Sequence, residues 1–250
     1  MQVISTEALK TFVNENIDEF HNNKARILTG IQLKKVLLSK NPYLFKAKNL
    51  NSANDLINDV LSAYLYSSEE KVFGDFLEKL AIFVSESSCG GRKSSATGVD
   101  LEFEDDGKYY LVSIKSGPNW SNSSSMARQI ENFRKAVTVR RQNYPNDNII
   151  PVIGICYGKK KPVDKGTHKV VMGQSFWHLI SGDTGLYKQI IEPLGYKARE
   201  HNEEFIQEKS RIVNLFTQEF VEKFCDNGNI NWDKLVEFNS GNYPTTPDAN

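Results

Sequence analysis

The sequence predicts an α/β fold, a mixed sheet with helices on both of its faces, from three observations. A strand pair stands in the middle of the chain, Gly98 to Phe103 and Tyr109 to Lys115, about an Asp106-Gly107 turn. A helical stripe precedes it at 71–85, and a second helix at 123–141 followed by a β-branched strand, Ile149 to Cys156, comes after it. Helix, two paired strands, helix, strand is an order that builds such a layered core.

Taken in order, Leu9, Phe12, Val13, Ile17 and Phe20 follow helical spacing, as do Leu33, Val36 and Leu37. Residues 1–40 therefore read as helix, broken at Asn41-Pro42 because the residue before proline avoids helical angles. Ser52 is the cap of a helix over 52–66, with Leu56, Val60, Leu61 and Leu65 on one side. The helix at 71–85 carries Val72, Phe73, Phe76, Leu77 and Leu80 as its core stripe, and Glu78 lies beside that stripe. Ser85 to Thr97, polar and holding Gly90-Gly91, reads as a loop.

The hairpin rests on alternating apolar residues flanking Asp-Gly, a strong two-residue turn signal. A polar loop, Ser116 to Ser125, leads into the helix whose inward residues are Ile130, Phe133 and Val137. Ile149 to Cys156 reads as a buried strand, and Gly158 with Lys159-Lys160-Lys161 turns the chain outward. Val170 to Met172 is a last strand before a Phe176-Trp177 helix, and Tyr187 to Phe238 is mostly helical. The tail from Ser240 reads as disordered.

Composition narrows the function classes. No apolar run approaches the roughly 20 residues of a bilayer span, so no membrane partner is expected. Met1 to Phe12 lacks the basic start and apolar core of a secretory signal, which predicts a cytoplasmic protein. Cys89, Cys156 and Cys225 are far apart, which fits free thiols and gives no zinc spacing, and the histidines are equally scattered. Formal net charge is +0. Yet basic residues crowd between Gly107 and Lys169, from Lys108 through Arg128, Arg134, Arg140, Arg141 and Lys159 to Lys161, against Glu131, Asp147 and Asp164. Polyanion binding needs a local field rather than a global one.

Within the hairpin, Asp100 and Glu102 share one face of the first strand, and Ser113 and Lys115 share one face of the second. If those faces coincide, a carboxylate and an ammonium meet across the pair. That is the minimal equipment for a divalent metal and an attacking water.

A helical acid (Glu78), Gly-Val-Asp100, a hairpin and Ser113-Ile114-Lys115, in this order, resemble the PD-(D/E)XK nuclease superfamily, and within it type II restriction endonucleases. The loop Lys115-Ser-Gly-Pro-Asn-Trp-Ser-Asn-Ser123 and its following helix look like the PmeII-type group. The Phe176-Trp177 helix and the region with Trp232 are similar to those of a restriction enzyme that cuts around a GGNCC core. The resemblance implies a restriction-endonuclease-like core at 71–180, helical regions at 1–70 and 181–240, and a tail at 241–250.

It also implies Mg²⁺ held by Asp100, the Ile114 carbonyl and a second carboxylate, with Lys115 beside the attacking water. The family's second strand usually has Asp or Glu where this chain has Ser113. Glu131 on the following helix, Glu78 and Glu102 are the three candidates to replace it. Expected DNA contacts are Asn119, Trp120, Asn122, Ser123, Arg128, Gln129, Arg134, Arg141 and Lys160. The implied product is double-stranded DNA cut at a short palindromic site by a homodimer, leaving 5′-phosphates, with a cognate DNA methyltransferase protecting the host. A non-specific repair or recombination nuclease of the same fold, and a DNA-binding module with a decayed site, fit the same residues.

Overall fold

The computed structural model describes residues 1–198 and 202–242. Its contacts divide the chain into two units, residues 1–20 with 72–199 and residues 21–71 with 200–250. The strands are β1 (Arg92–Lys93), β2 (Leu101–Asp105), β3 (Lys108–Lys115), β4 (Asn148–Ile155), β5 (Val163–Asp164), β6 (Lys169–Met172), β7 (Cys225–Asp226) and β8 (Asn229–Ile230). The helices are α1 (Thr6–Thr29), α2 (Leu33–Leu38), α3 (Pro42–Ala47), α4 (Ala53–Cys89), α5 (Ser123–Asn143), α6 (Gln174–Ser181), α7 (Leu186–Gln189), α8 (Ile191–Ala198), α9 (Asn202–Phe224) and α10 (Trp232–Ser240).

The first unit is built on a six-stranded sheet in the order β1-β2-β3-β4-β6-β5. The β1, β2 and β3 neighbours are antiparallel, β3, β4 and β6 run parallel, and β5 returns antiparallel, so the sheet is mixed as expected. Asp105 pairs with Lys108, leaving Asp106 and Gly107 as a two-residue turn with φ of 48° and 65°. Two successive left-handed residues match the right-handed twist of the strands they join.

Both faces of this sheet are covered. Leu101, Phe103, Val112, Ile114, Val152 and Val171 pack against Leu9, Val13 and Ile17 of α1, Leu77, Leu80 and Val84 of α4, and Phe176, Trp177 and Ile180 of α6. On the opposite face Tyr109, Leu111, Ile149, Ile153 and Ile155 meet Phe133 and Ala136 of α5. Strands buried on both sides explain the continuous apolar run of β4. Burial in this core pushes the Cys156 thiol up to about 12, so it stays a protonated small hydrophobe.

Three sequence expectations change. Residues 52–66 and 71–85 are parts of one continuous helix of 37 residues. The Ser67 and Ser68 hydroxyls between them donate to the Ala63 and Tyr64 carbonyls at 2.9 and 3.1 Å, a back-bonding that keeps serine inside a helix. Residues 1–40 are not one helix, since α1 ends at Thr29 and α2 covers Leu33–Leu38; Asn41-Pro42 does break this region, and it also opens α3. Asn41 Oδ1 accepts from the Tyr43 and Leu44 amides, and Pro42 takes the first helical position, where its missing N–H is harmless. The 85–97 segment is not all loop, because α4 runs to Cys89 and β1 then pairs with β2, Arg92 opposite Glu102.

The second unit is helical with a small β7-β8 hairpin. Leu33, Val36, Phe45, Leu56, Leu61, Phe216, Phe220 and Leu235 form its core. The expected tail at 241–250 lies, from residue 243 on, outside the described residues.

The end of β4 is tied to α6 by the Trp177 indole N–H, which donates to the Cys156 carbonyl at 2.9 Å inside the core. Trp177→Phe keeps most of the packing and strands that carbonyl. We expect it to lower unfolding stability by about 1–3 kcal/mol, read from denaturant midpoints.

Candidate active site

Asp100 sits one residue before β2, at the end of the hairpin where β3 finishes in Lys115. Its amide donates to the Val112 carbonyl at 2.8 Å, extending the ladder by one bond. Beyond that bond the Asp100 side chain replaces the missing strand. Its Oδ2 accepts the Ile114 amide N–H at 2.6 Å, lies 3.4 Å from the Ser113 hydroxyl, and is 3.9 Å from Lys115 Nζ. The carboxylate and ammonium, 22% and 23% exposed, therefore meet as the strand pattern predicted. In a strand the N–H and C=O of one residue point to the same side. The Ile114 carbonyl thus belongs to the edge that Asp100 occupies, while the Ile114 side chain is buried in the sheet core.

Glu78 comes to this site from α4. Burial first, and then the nearby Asp100 charge, raise its pKa above the ordinary carboxylate value, against the lowering pull of Lys93 and Lys115. Lys93 Nζ stands 3.9 Å from Glu78 Oε1. Glu78 and Asp100 are part-buried carboxylates near enough for one charge to act on the other, and oxygen donors of this kind suit a hard divalent cation. Among the described residues no group of three or more His, Cys, Asp or Glu side chains forms a metal cluster. The residues that could hold such a cation are Asp100 and Glu78, with the Ile114 carbonyl.

The other acids are placed elsewhere. Glu102 accepts from Arg92 Nε at 2.8 Å, two positions along β2 from Asp100, so it is committed to the β1 edge. Glu131 lies on the outer side of α5. It is half-exposed on α5 and pairs with Arg134 and Lys135, each at 3.8 Å. Residues two apart on a helix point about 200° apart, so Gln129 and Glu131 cannot both face the sheet, and Gln129 does. Gln129 is buried, with its Oε1 3.1 Å from the Ser113 hydroxyl, which corrects its assignment as a DNA contact.

Of the other expected DNA contacts, Asn119, Ser123, Arg128, Arg134, Arg141 and Lys160 are exposed. Trp120 packs beside the α5 core, with Lys115 Nζ 5.2 Å from its ring centroid. Asn122 caps α5. Its Oδ1 accepts the Ser125 amide, and Ser125 Oγ accepts the Asn122 amide in return, a reciprocal capping box.

One cluster went unread in the sequence. Arg140 lies over the Tyr109 and Tyr144 rings, 3.8 and 3.6 Å from their centroids, and its Nε donates to Asp147 at 2.7 Å. Arg140, Tyr109 and Tyr144, with Arg92, Glu102 and Lys135, line a cleft of about 590 Å³ on the α5 side of the sheet. Arg140 shows in the sequence as one of a helical series of arginines, with Tyr144 and Asp147 close behind it, but Tyr109 comes from β3 and no local pattern joins it to them.

A mixed sheet covered by helices on both faces is consistent with a restriction-endonuclease-like fold, and the chain is an enzyme of the type II restriction endonuclease class. A family model described as type II restriction endonuclease EcoO109I matches residues 7–202, so the chain belongs to the EcoO109I family of site-specific deoxyribonucleases. No curated protein matches it. Double-stranded DNA is the substrate of this class, and its members generally use divalent metal ions. Among the described residues no helix is long and apolar enough to cross a membrane.

Two predictions follow from the placements above. Asn122→Ala lowers stability by about 1 kcal/mol through loss of the cap, while Asn122→Asp, which also caps, leaves both stability and DNA affinity near wild type. A gel-shift titration beside thermal melts checks the pair. The folded-state pKa of Glu78 is raised, so its charge costs stability that grows as pH rises through that value and is absent below the unfolded value. Glu78→Gln therefore melts higher than wild type in chelator at pH 8, and the gain shrinks toward pH 4.

Proposed function

We propose that this chain is a Mg²⁺-dependent endonuclease of the PD-(D/E)XK pattern that cuts both strands of duplex DNA at a short palindromic site and leaves 5′-phosphates. The observation that carries the reading is the Asp100 carboxylate held at once by the Ile114 amide at 2.6 Å and within 3.9 Å of the Lys115 ammonium. The family match supports the site-specific part of it, and the loop from Lys115 to Ser123 supports kinship with the PmeII-type group.

A phosphodiester is an anion, so attack on it must overcome repulsion and stabilise charge growing on the phosphoryl oxygens. Asp100, Glu78 and the Ile114 carbonyl would hold the cation. When bound, Mg²⁺ lowers the pKa of a coordinated water and screens the phosphate. Lys115 donates hydrogen bonds to the attacking water and offsets negative charge in the transition state. The Trp120 ring covers one side of that ammonium and keeps it from bulk water. The Ile114 amide fixes one Asp100 oxygen and so leaves the other free for the cation.

The exposed arginines of α5, Arg128, Arg134 and Arg141, with Lys160 and its neighbours after β4, supply a sequence-independent phosphate field. Cutting a palindrome in both strands calls for two such sites related by a two-fold axis, hence a homodimer. A cognate methyltransferase would protect host DNA in the same cytoplasm without being a stable partner.

The test incubates the purified chain with phage and plasmid DNA in Mg²⁺ and in EDTA. Discrete, metal-dependent fragments support the proposal, a smear makes it a non-specific nuclease, and binding without cutting makes it a DNA-binding module with a decayed site. Asp100→Asn and Lys115→Ala are expected to abolish cleavage while the chain still folds and binds DNA. Substantial cutting by either variant would sink the site assignment.

A further inference from the structure

Gln129 is 6% exposed, and a buried amide is costly unless both of its ends are paired. Both are. Its Nε2 donates to the Gly98 carbonyl at 2.7 Å, and its Oε1 accepts the Ser113 hydroxyl at 3.1 Å. These partners flank Asp100 on two sides. Gly98 ends the turn, closed by the Val99 amide on the Ala96 carbonyl, that delivers Asp100 to the sheet, and Ser113 stands on β3 immediately before Ile114, whose amide holds the Asp100 carboxylate.

The hydroxyl of Ser113 has one proton, and Asp100 Oδ2 lies 3.4 Å from it, farther than Gln129 Oε1. The shorter contact takes the proton and leaves Asp100 to the Ile114 amide. The turn is also pressed against α5 one helical turn later. Gly98 has φ of +72°, and a Cβ there would fall 2.2 Å from Asn132 Nδ2. Positions 129 and 132 share a helix face, so α5 grips this turn at two successive points.

We propose that Gln129 is a positioning residue, which clamps the Gly98 turn and the Ser113 hydroxyl to α5 and so sets where the Asp100 carboxylate stands relative to the Ile114 amide and Lys115. The inference rests on Asp100 and Lys115 acting as proposed above. An amide suits the place because it donates and accepts at once. A carboxylate has no N–H for the Gly98 carbonyl and would add a third negative charge beside Asp100 and Glu78.

The experiment compares wild type, Gln129→Leu, Asp100→Asn, Glu131→Gln and Trp177→Phe. The last serves as a variant that loses a buried hydrogen bond away from Asp100. Four quantities are read on each: single-turnover cleavage rate, DNA affinity in EDTA, melting temperature in EDTA, and the rise of melting temperature with Mg²⁺. Groups that orient a metal ligand typically account for about 10–100-fold in activity or metal affinity. Gln129→Leu is accordingly expected to cut about 10–100-fold slower than wild type and to need about 10-fold more Mg²⁺ for the same thermal shift. Its DNA affinity should be unchanged, and Glu131→Gln should match wild type throughout.

A Gln129→Leu protein that cuts as fast as Trp177→Phe at an equal loss of melting temperature, with the wild-type Mg²⁺ dependence, overturns the proposal and leaves Gln129 a structural residue. If Asp100→Asn also cuts normally, the active-site reading itself has failed. If Asp100→Asn is dead and Gln129→Leu is fully active, only the positioning role has failed.

Discussion

The bond from the Ile114 amide to the Asp100 carboxylate is the constraint on which the rest of this site depends. The β2-β3 ladder ends with the Asp100 amide on Val112, and without a further partner the Ile114 N–H would be a buried orphan of the kind native structures avoid. A side-chain oxygen takes that role. Pairing of the sheet therefore continues for one more position through a carboxylate instead of a strand. The same bond fixes the Asp100 carboxylate, the proposed metal ligand, against the backbone that leads directly into Lys115. Fold and chemistry share a single hydrogen bond there, so the carboxylate need not be ordered separately.

The two faces of the sheet divide the remaining work. The face toward α1, α4 and α6 is apolar and close-packed, and it brings Glu78 up beside the stripe of Leu77 and Leu80. The face toward α5 is apolar at Leu111, Ile153 and Phe133 but becomes polar toward its margin, at Ser113, Gln129, Glu102 and Tyr109. Buried polar groups rigidify a structure when every member is satisfied. Ser113 and Gln129 satisfy each other, and Glu102 is met by Arg92. Position 113, where the sequence resemblance implies an acid, is thus held by a neutral pair, and the local charge stays close to balance between Asp100 and Glu78 on one side and Lys93 and Lys115 on the other.

What the sequence told in advance follows from how local each feature is. Asp106-Gly107 flanked by alternating strands marks the hairpin, its turn and the face shared by Asp100 and Lys115, because period-two alternation and left-handed turn residues are written in neighbouring positions. The helix core stripes were legible for the same reason. Continuity of α4 across Ser67-Ser68-Glu69-Glu70 was not, since it depends on side chains bonding back to their own helix. The β1 strand was hidden because two exposed basic residues carry no alternation and become a strand only by pairing with β2. Which residue of α5 faces Ser113 was not legible either. A charged residue near the right distance along a helix attracts attention, but the side facing the sheet is fixed by Phe133 and Ala136, and that side presents Gln129.

The chain has 3 tryptophans, at positions 120, 177 and 232, and they differ in a useful way. Trp177 is sealed in the core with its N–H bonded, whereas Trp120 is part-exposed and borders the ammonium of Lys115. Indole emission responds to nearby charge and to water. A ligand that enters beside Lys115 changes the surroundings of Trp120 directly, whereas Trp177 is sealed from solvent. Trp120 is therefore an optical gauge, built into the chain, of what binds beside Lys115.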